Sequence, residues 1–130
     1  MKILKFIPVL MLFLMACEDK SHSKTLYEEV MVIHDEAMPK MIEVNKIKRK
    51  FVLIEKERSD STVQYYIKLL DDADEYMMTW MAEFKVPSDA AKAESYLKSE
   101  KTKIQDVQDK INTAIHDATI YLDSLSKINQ

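Results

Sequence analysis

An all-α fold is predicted for this chain: an antiparallel three-helix bundle with coiled-coil character and a long C-terminal helix. Three observations predict it. None of the 130 residues is glycine, which removes the usual residue of tight β-turns and phosphate-cradling loops. Apolar residues recur at spacings of three and four along three stretches, as helices that bury one stripe require. Those stretches are divided at Glu57 to Ser61 (ERSDS) and at Pro87, where the pattern fails.

The N-terminal element stands outside that fold. Lys2 and Lys5 form a short basic region, and Phe6 to Ala16 (FIPVLMLFLMA) is an uncharged apolar run of 11 residues. A membrane-spanning helix needs about 20 such residues, so this run has the length of a signal-peptide core. Leu14-Met15-Ala16-Cys17 then resembles the bacterial lipobox, Leu-x-Ala-Cys, with Met15 a less usual residue at its position. The resemblance implies a lipoprotein signal peptide over residues 1–16, cleavage before Cys17, a diacylglyceryl group on the Cys17 thiol and acylation of the new amino group. An ordinary signal peptide beside an incidental cysteine is the alternative. Against it, Cys17 is the single cysteine and stands where the lipobox requires one. Two or three acyl chains anchor a protein stably, at about 0.8 kcal/mol per buried CH₂. Glu18-Asp19 resemble the acidic surface-export signals of Bacteroidetes lipoproteins. The expectation is a lipid-anchored protein of the bacterial cell envelope, at the outer membrane, with neither disulfide nor free thiol.

Residues 17–24 comprise Cys17 and the polar stretch EDKSHSK, read as a tether. The bundle is expected over 25–130, since roughly 113 residues from Cys17 onward suffice for one modest core. The first helix, about 25–57, opens on Thr25-x-x-Glu28, which has capping-box spacing. Its inward stripe reads Leu26, Val30, Ile33, Ala37, Met41, Val44, Ile47, Phe51 and Ile54. The second, about 62–85, follows Ser61-x-x-Gln64, with Asp60 a competing cap, and buries Val63, Tyr66, Leu70, Ala73, Met77, Trp80 and Phe84. Pro87 ends it, and Ser88-Asp89 begins the third, about 88–128. There Leu97, Ile104, Val107, Ile111, Ala114, Ala118, Tyr121, Leu125 and Ile128 face inward, and Glu100 alone breaks the register.

Charge bounds the partners. Setting Lys2 and Lys5 aside leaves 17 basic against 22 acidic side chains, a net of −5 without a basic stripe. No nucleic acid is expected to bind. A turn near residue 59 or 60 makes partners on the first two helices sum to about 119, which sets Lys46, Lys48, Arg49 and Lys50 level with Asp71, Asp72, Asp74 and Glu75. Pairing the third helix back onto the second uses up the second near residue 112. The stripe Ala114, Ile115, Ala118, Tyr121, Leu122, Leu125, Ile128 then lacks a partner in the chain. A homo-oligomer or a protein partner through residues 113–130 is therefore expected, or else a fold-back of this segment after a break.

One local cluster invites a site. HDEAMPKM, residues 34–41, joins His34 to Met38 and Met41, and the register sets it opposite YMMTWM, residues 76–81. Met31 apart, these two windows hold every methionine beyond the leader, and Ala90, Ala91 and Ala93 are expected at the same level. Three readings stand. The first is a flexible core, with methionine filling the gap that Pro39 makes by removing a backbone bond and kinking the first helix. The second is a copper site in which His34, Met38, Met41, Met77 or Met78, and Met81 hold Cu(I), with Trp80 as a shield. The third is a haem held by His34 and a methionine, although no Cys-x-x-Cys-His attachment motif is present.

No Glu-x-x-His pair, His-Glu-x-x-His, P-loop or nucleophile elbow occurs. His22 lies in the tether and His116 alone on the third helix. No catalytic residue and no enzyme activity are expected. HDEAMPKM together with DDADEYMMTWMAEF, residues 71–84, resembles a group of small Bacteroidetes lipoproteins called viral A-type inclusion proteins. That name describes coiled-coil similarity and implies no activity, so no functional residue is carried over from it. The function expected is that of an envelope-anchored helical interaction or structural module without cofactor. A copper-binding lipoprotein is the alternative.

Overall fold

The computed structural model describes residues 18–128, so the leader and the expected lipidation site Cys17 lie outside the described residues. It is a three-helix bundle: α1 (Glu18–Glu57), α2 (Ser61–Glu83) and α3 (Ala90–Ile128), each packed on the other two. The described residues include no strand. The all-α expectation holds.

Helix ends differ from expectation in instructive ways. Helix α1 begins at Glu18 rather than Thr25, so residues 18–24 are helical instead of a loose tether. Nothing in that stretch breaks a helix, and α3 runs alongside it: the His22 ring lies 3.6 Å from the Glu94 carboxylate. Thr25 is thus an interior residue. At α2 the cap is Asp60 and not Ser61: its carboxylate accepts from the Thr62 N–H at 2.8 Å. Gln64, the other half of the expected box, instead donates across the turn to Glu55 at 3.2 Å. Helix α3 starts from Asp89, which accepts the Lys92 N–H at 2.9 Å.

The register between α1 and α2 is as expected. Lys48 pairs with Asp71 at 2.7 Å, and the residue numbers of both Lys48–Asp71 and Glu55–Gln64 sum to 119. Among the described residues, Lys48–Asp71 is the one ion pair joining the two facing charge blocks; Asp72 turns to Lys68 on its own helix.

Helix α3 corrects the expectation of an unpartnered C-terminal stripe. It lies parallel to α1 at a constant offset of 72: Lys101 pairs with Glu29 at 2.7 Å, Gln108 with Glu36 at 3.4 Å, and Lys40 with Asn112 at 2.6 Å. Helix α1 has 40 residues and α3 has 39, so each is about 60 Å long and they cover one another end to end. Ala114, Ala118 and Leu125 are buried, and Tyr121 stacks on Phe51 at 6.0 Å and on Tyr66 at 4.7 Å. Sequential pairing alone had left this stripe bare, whereas in a three-helix bundle the first and third helices also touch. Ile120 is the large apolar residue still exposed there.

Along all three helices the inward stripes follow those expected, with Ile33, Ile54, Tyr66, Phe84 and Tyr121 only partly buried. Val30, Val44, Phe51, Val63, Leu70, Met77, Leu97, Ile104 and Ile111 are fully enclosed, each contributing roughly 1.5–3 kcal/mol by leaving water. Glu100 is enclosed with them, its carboxylate held by Lys103 at 2.7 Å.

Candidate functional site

Helix α1 passes through Pro39 as one continuous helix, even though proline removes the hydrogen bond that would reach the Asp35 carbonyl. His34, Met38 and Met41 fall at i, i+4 and i+7, one stripe on the side of α1 that meets α2. Met41 is buried, and Met38 is half-buried against the core. Both line an open groove with Asp35, Pro39, Ile42 and Arg49. Ile42, at 73% exposure, forms its solvent edge.

The His34 side chain is 15% exposed, and its Nδ1 lies 2.9 Å from the Asp35 carboxylate. A carboxylate accepts only, so Nδ1 is the donor in this contact. The Trp80 ring sits 5.7 Å from the imidazole, tilted by 33°, and continues to Phe84 at 4.8 Å. Trp80 Nε1 is buried without a hydrogen-bond partner.

On α2 the structure separates residues the sequence left as alternatives. Met77 is fully buried, whereas Met78, about 100° further round the helix, is 55% exposed. Met81 is half-buried against the same core. The Lys48–Asp71 and His34–Trp80 contacts bracket this level, so Met38 lies opposite the turn from 77 to 81. His34, Met38, Met41 and Met81 therefore share one end of the α1/α2 seam, Met77 lies behind it, and Met78 turns away. The alanine expectation is corrected. The offset of 72 places Ala93 beside residue 21 and brings Ile111 and Ala114 to the methionine level instead. A haem on His34 would have to displace Trp80.

Two polar features escaped the sequence reading. Gln108 is buried, donates to Glu36 and accepts from Gln105 at 3.0 Å. Glu100 registered only as a break in the stripe, yet it is a carboxylate enclosed at a core position. The heptad recurrence of Glu29 and Glu36 against Lys101 and Gln108 was the available signal for the α1/α3 ladder. Elsewhere, burial raises the Tyr66 pKa. The Thr62 N–H lowers that of Asp60. Among the described residues no three His, Cys, Asp or Glu side chains gather as a metal would need. No described helix is long and apolar enough to cross a membrane.

No family model, curated protein or solved structure matches this chain. The fold and its side chains carry the functional argument.

Proposed function

We propose that this protein is a lipid-anchored component of the bacterial cell envelope, held at the outer membrane through Cys17, whose helical bundle acts as a structural or interaction module without catalysis. The observation that carries the reading is the lipobox-like Leu14-Met15-Ala16-Cys17 directly before Glu18, the first residue of α1. Acyl chains on Cys17 would then hold the bundle at one end, so that a rod about 60 Å long projects from the lipid surface. Its outward faces offer exposed Val32, Ile42 and Leu53 on α1 and Tyr65 and Met78 on α2 to a protein partner. Ala114, Ala118 and Leu125 are buried within the bundle, so the reading rests on these exposed side chains rather than on that stripe.

The test is metabolic labelling of the full chain in a Gram-negative host with an alkyne-bearing fatty acid. The wild-type chain is expected to carry label and to sediment with membranes, and the Cys17→Ala chain to do neither. A wild-type chain recovered unlabelled from the soluble fraction overturns the reading.

A further inference from the structure

We infer that the α1/α2 seam at His34 is a binding site for one Cu(I) ion, built from the His34 imidazole and the thioethers of Met38, Met41 and Met81. The inference stands on side chains of the bundle and is independent of the lipid-anchor reading.

Four observations converge. His34, Met38 and Met41 occupy one helical stripe, and the two methionines also line a solvent-open groove along α1, so their thioethers can be reached from outside. Met81 lies at the same level on the facing helix, packed against the core and one residue beyond the Trp80 that touches His34. Asp35 engages His34 through Nδ1 at 2.9 Å, so Nε2 is the ring nitrogen that this contact does not use. A carboxylate on the far nitrogen is the arrangement that orients metal-binding imidazoles. Finally, Trp80 closes the site with an indole that makes no hydrogen bond of its own, and its π-face suits a neighbouring cation.

The donor set selects the ion. Thioether sulfur is soft and carries no proton to displace, so Met₃His favours Cu(I) and disfavours Zn(II), Mg(II) and Ca(II). No described cluster of His, Cys, Asp or Glu competes for a harder metal. Core packing accounts for Met41 and Met77, which are buried. Met38 and Met81 pack against the same core but stay partly exposed, at positions where leucine would fill a similar volume. The ion is held as Cu(I), and no electron transfer is involved.

The test uses the full chain with Cys17→Ser, so that its one thiol cannot bind copper. Cu(I) is titrated anaerobically under ascorbate against a chromophoric chelator. One equivalent is expected to leave the chelator, with quenching of Trp80, the single tryptophan. Zn(II) should quench nothing. A Met38→Leu, Met81→Leu chain with unchanged helical circular dichroism should leave copper on the chelator. Asp35→Ala should weaken binding by about 10-fold. Met78→Leu and His116→Ala, whose side chains point to solvent, should bind as before. As a readout that needs no ligand variant, Ag(I) should shift the ¹³C-methyl signals of Met38, Met41 and Met81 and leave Met78 in place. No copper uptake, uptake unchanged by the Met38→Leu, Met81→Leu pair, or methyl shifts confined to other methionines would each overturn the inference.

Discussion

Glu100→Leu should stabilise the bundle. The glutamate stands between Leu97 and Ile104 on the inward stripe of α3. Its side chain is 5% exposed while that of its partner Lys103 is 59% exposed. The carboxylate has left water and the ammonium has not, so attraction across the pair is screened at one end while desolvation applies in full at the other. Leucine removes that penalty and adds an enclosed apolar side chain, worth about 2 kcal/mol by transfer. The pair lost in exchange is weak for the reason just given. A net gain of about 1–3 kcal/mol follows, within the range found when buried ion pairs are replaced by apolar residues. For a domain of this size the melting temperature should rise by about 4 °C per kcal/mol, hence by roughly 4–12 °C. Melts followed by far-UV circular dichroism, with urea midpoints at the same pH, measure it. Lys103→Met should shift the melt the other way, since the carboxylate stays buried and loses its partner. A Glu100→Leu chain that melts below wild type, beside a neutral Glu100→Gln chain, would refute the reasoning and give the carboxylate an additional partner or a role.

Three further outcomes are expected. Burial raises the Tyr66 pKa above the ordinary tyrosine value of 10.0. The stability tied to that proton is therefore complete below pH 10 and is lost as pH rises through the folded-state value. Tyr66→Phe should flatten the fall of the urea midpoint above pH 10, and an unchanged fall would place the alkaline transition elsewhere. The Thr62 N–H lowers the Asp60 pKa from 3.8, so the Asp60 contribution is present above that pH and disappears as pH falls through the folded value. Asp60→Ala should lower the melt at neutral pH and leave it closer to wild type in acid. With Cys17→Ser as background, Glu29→Cys paired with Lys101→Cys should be joined within one chain by a short bis-maleimide, because the native side chains at these positions meet at 2.7 Å; products joined only between chains would refute the parallel register.

The α1/α2 pair was legible because its connection is short. Arg58 to Asp60 leave little room for error in where the chain reverses, and the charge blocks give a second indication of the same register. The α2/α3 pair was not legible, and the reason is geometric. Residues 84–89 form no helix, and Phe84 has extended backbone at φ −67°, ψ 108°. Run straight, a six-residue connection covers up to about 20 Å, the length of roughly 13 helical residues. That moves partners from a sum of about 175, expected for a tight turn at Pro87, to the 186 and 187 of Tyr76–Lys110 and Tyr66–Tyr121. Composition does not say whether six residues between helices coil up or run straight. Phe84 lies beside Tyr27 and Tyr96, at 6.1 and 5.9 Å, so just past the end of α2 its ring packs against both α1 and α3.

The candidate site shows the same limit at smaller scale. Periodicity identified Met41 and Met77 as inward, and both are buried. It could not grade their neighbours, because a position one step off the stripe is half-enclosed or exposed according to how closely the two helices approach. Met38 and Met81 fall on the enclosed side of that division and Met78 on the other. The methionines thereby separate into two groups that mutation can tell apart. Met77→Ala removes a fully enclosed side chain and should cost about 2–5 kcal/mol; Met77→Leu should be close to neutral. Met38→Leu should change stability little in either direction, since the side chain is only half-buried. A large loss of stability from Met38→Leu would place Met38 with Met77 as packing and remove the reason to ask what it binds. Little change there, beside a clear loss for Met77→Ala, would leave the His34 edge of the seam as sulfur-rich surface that the fold does not require.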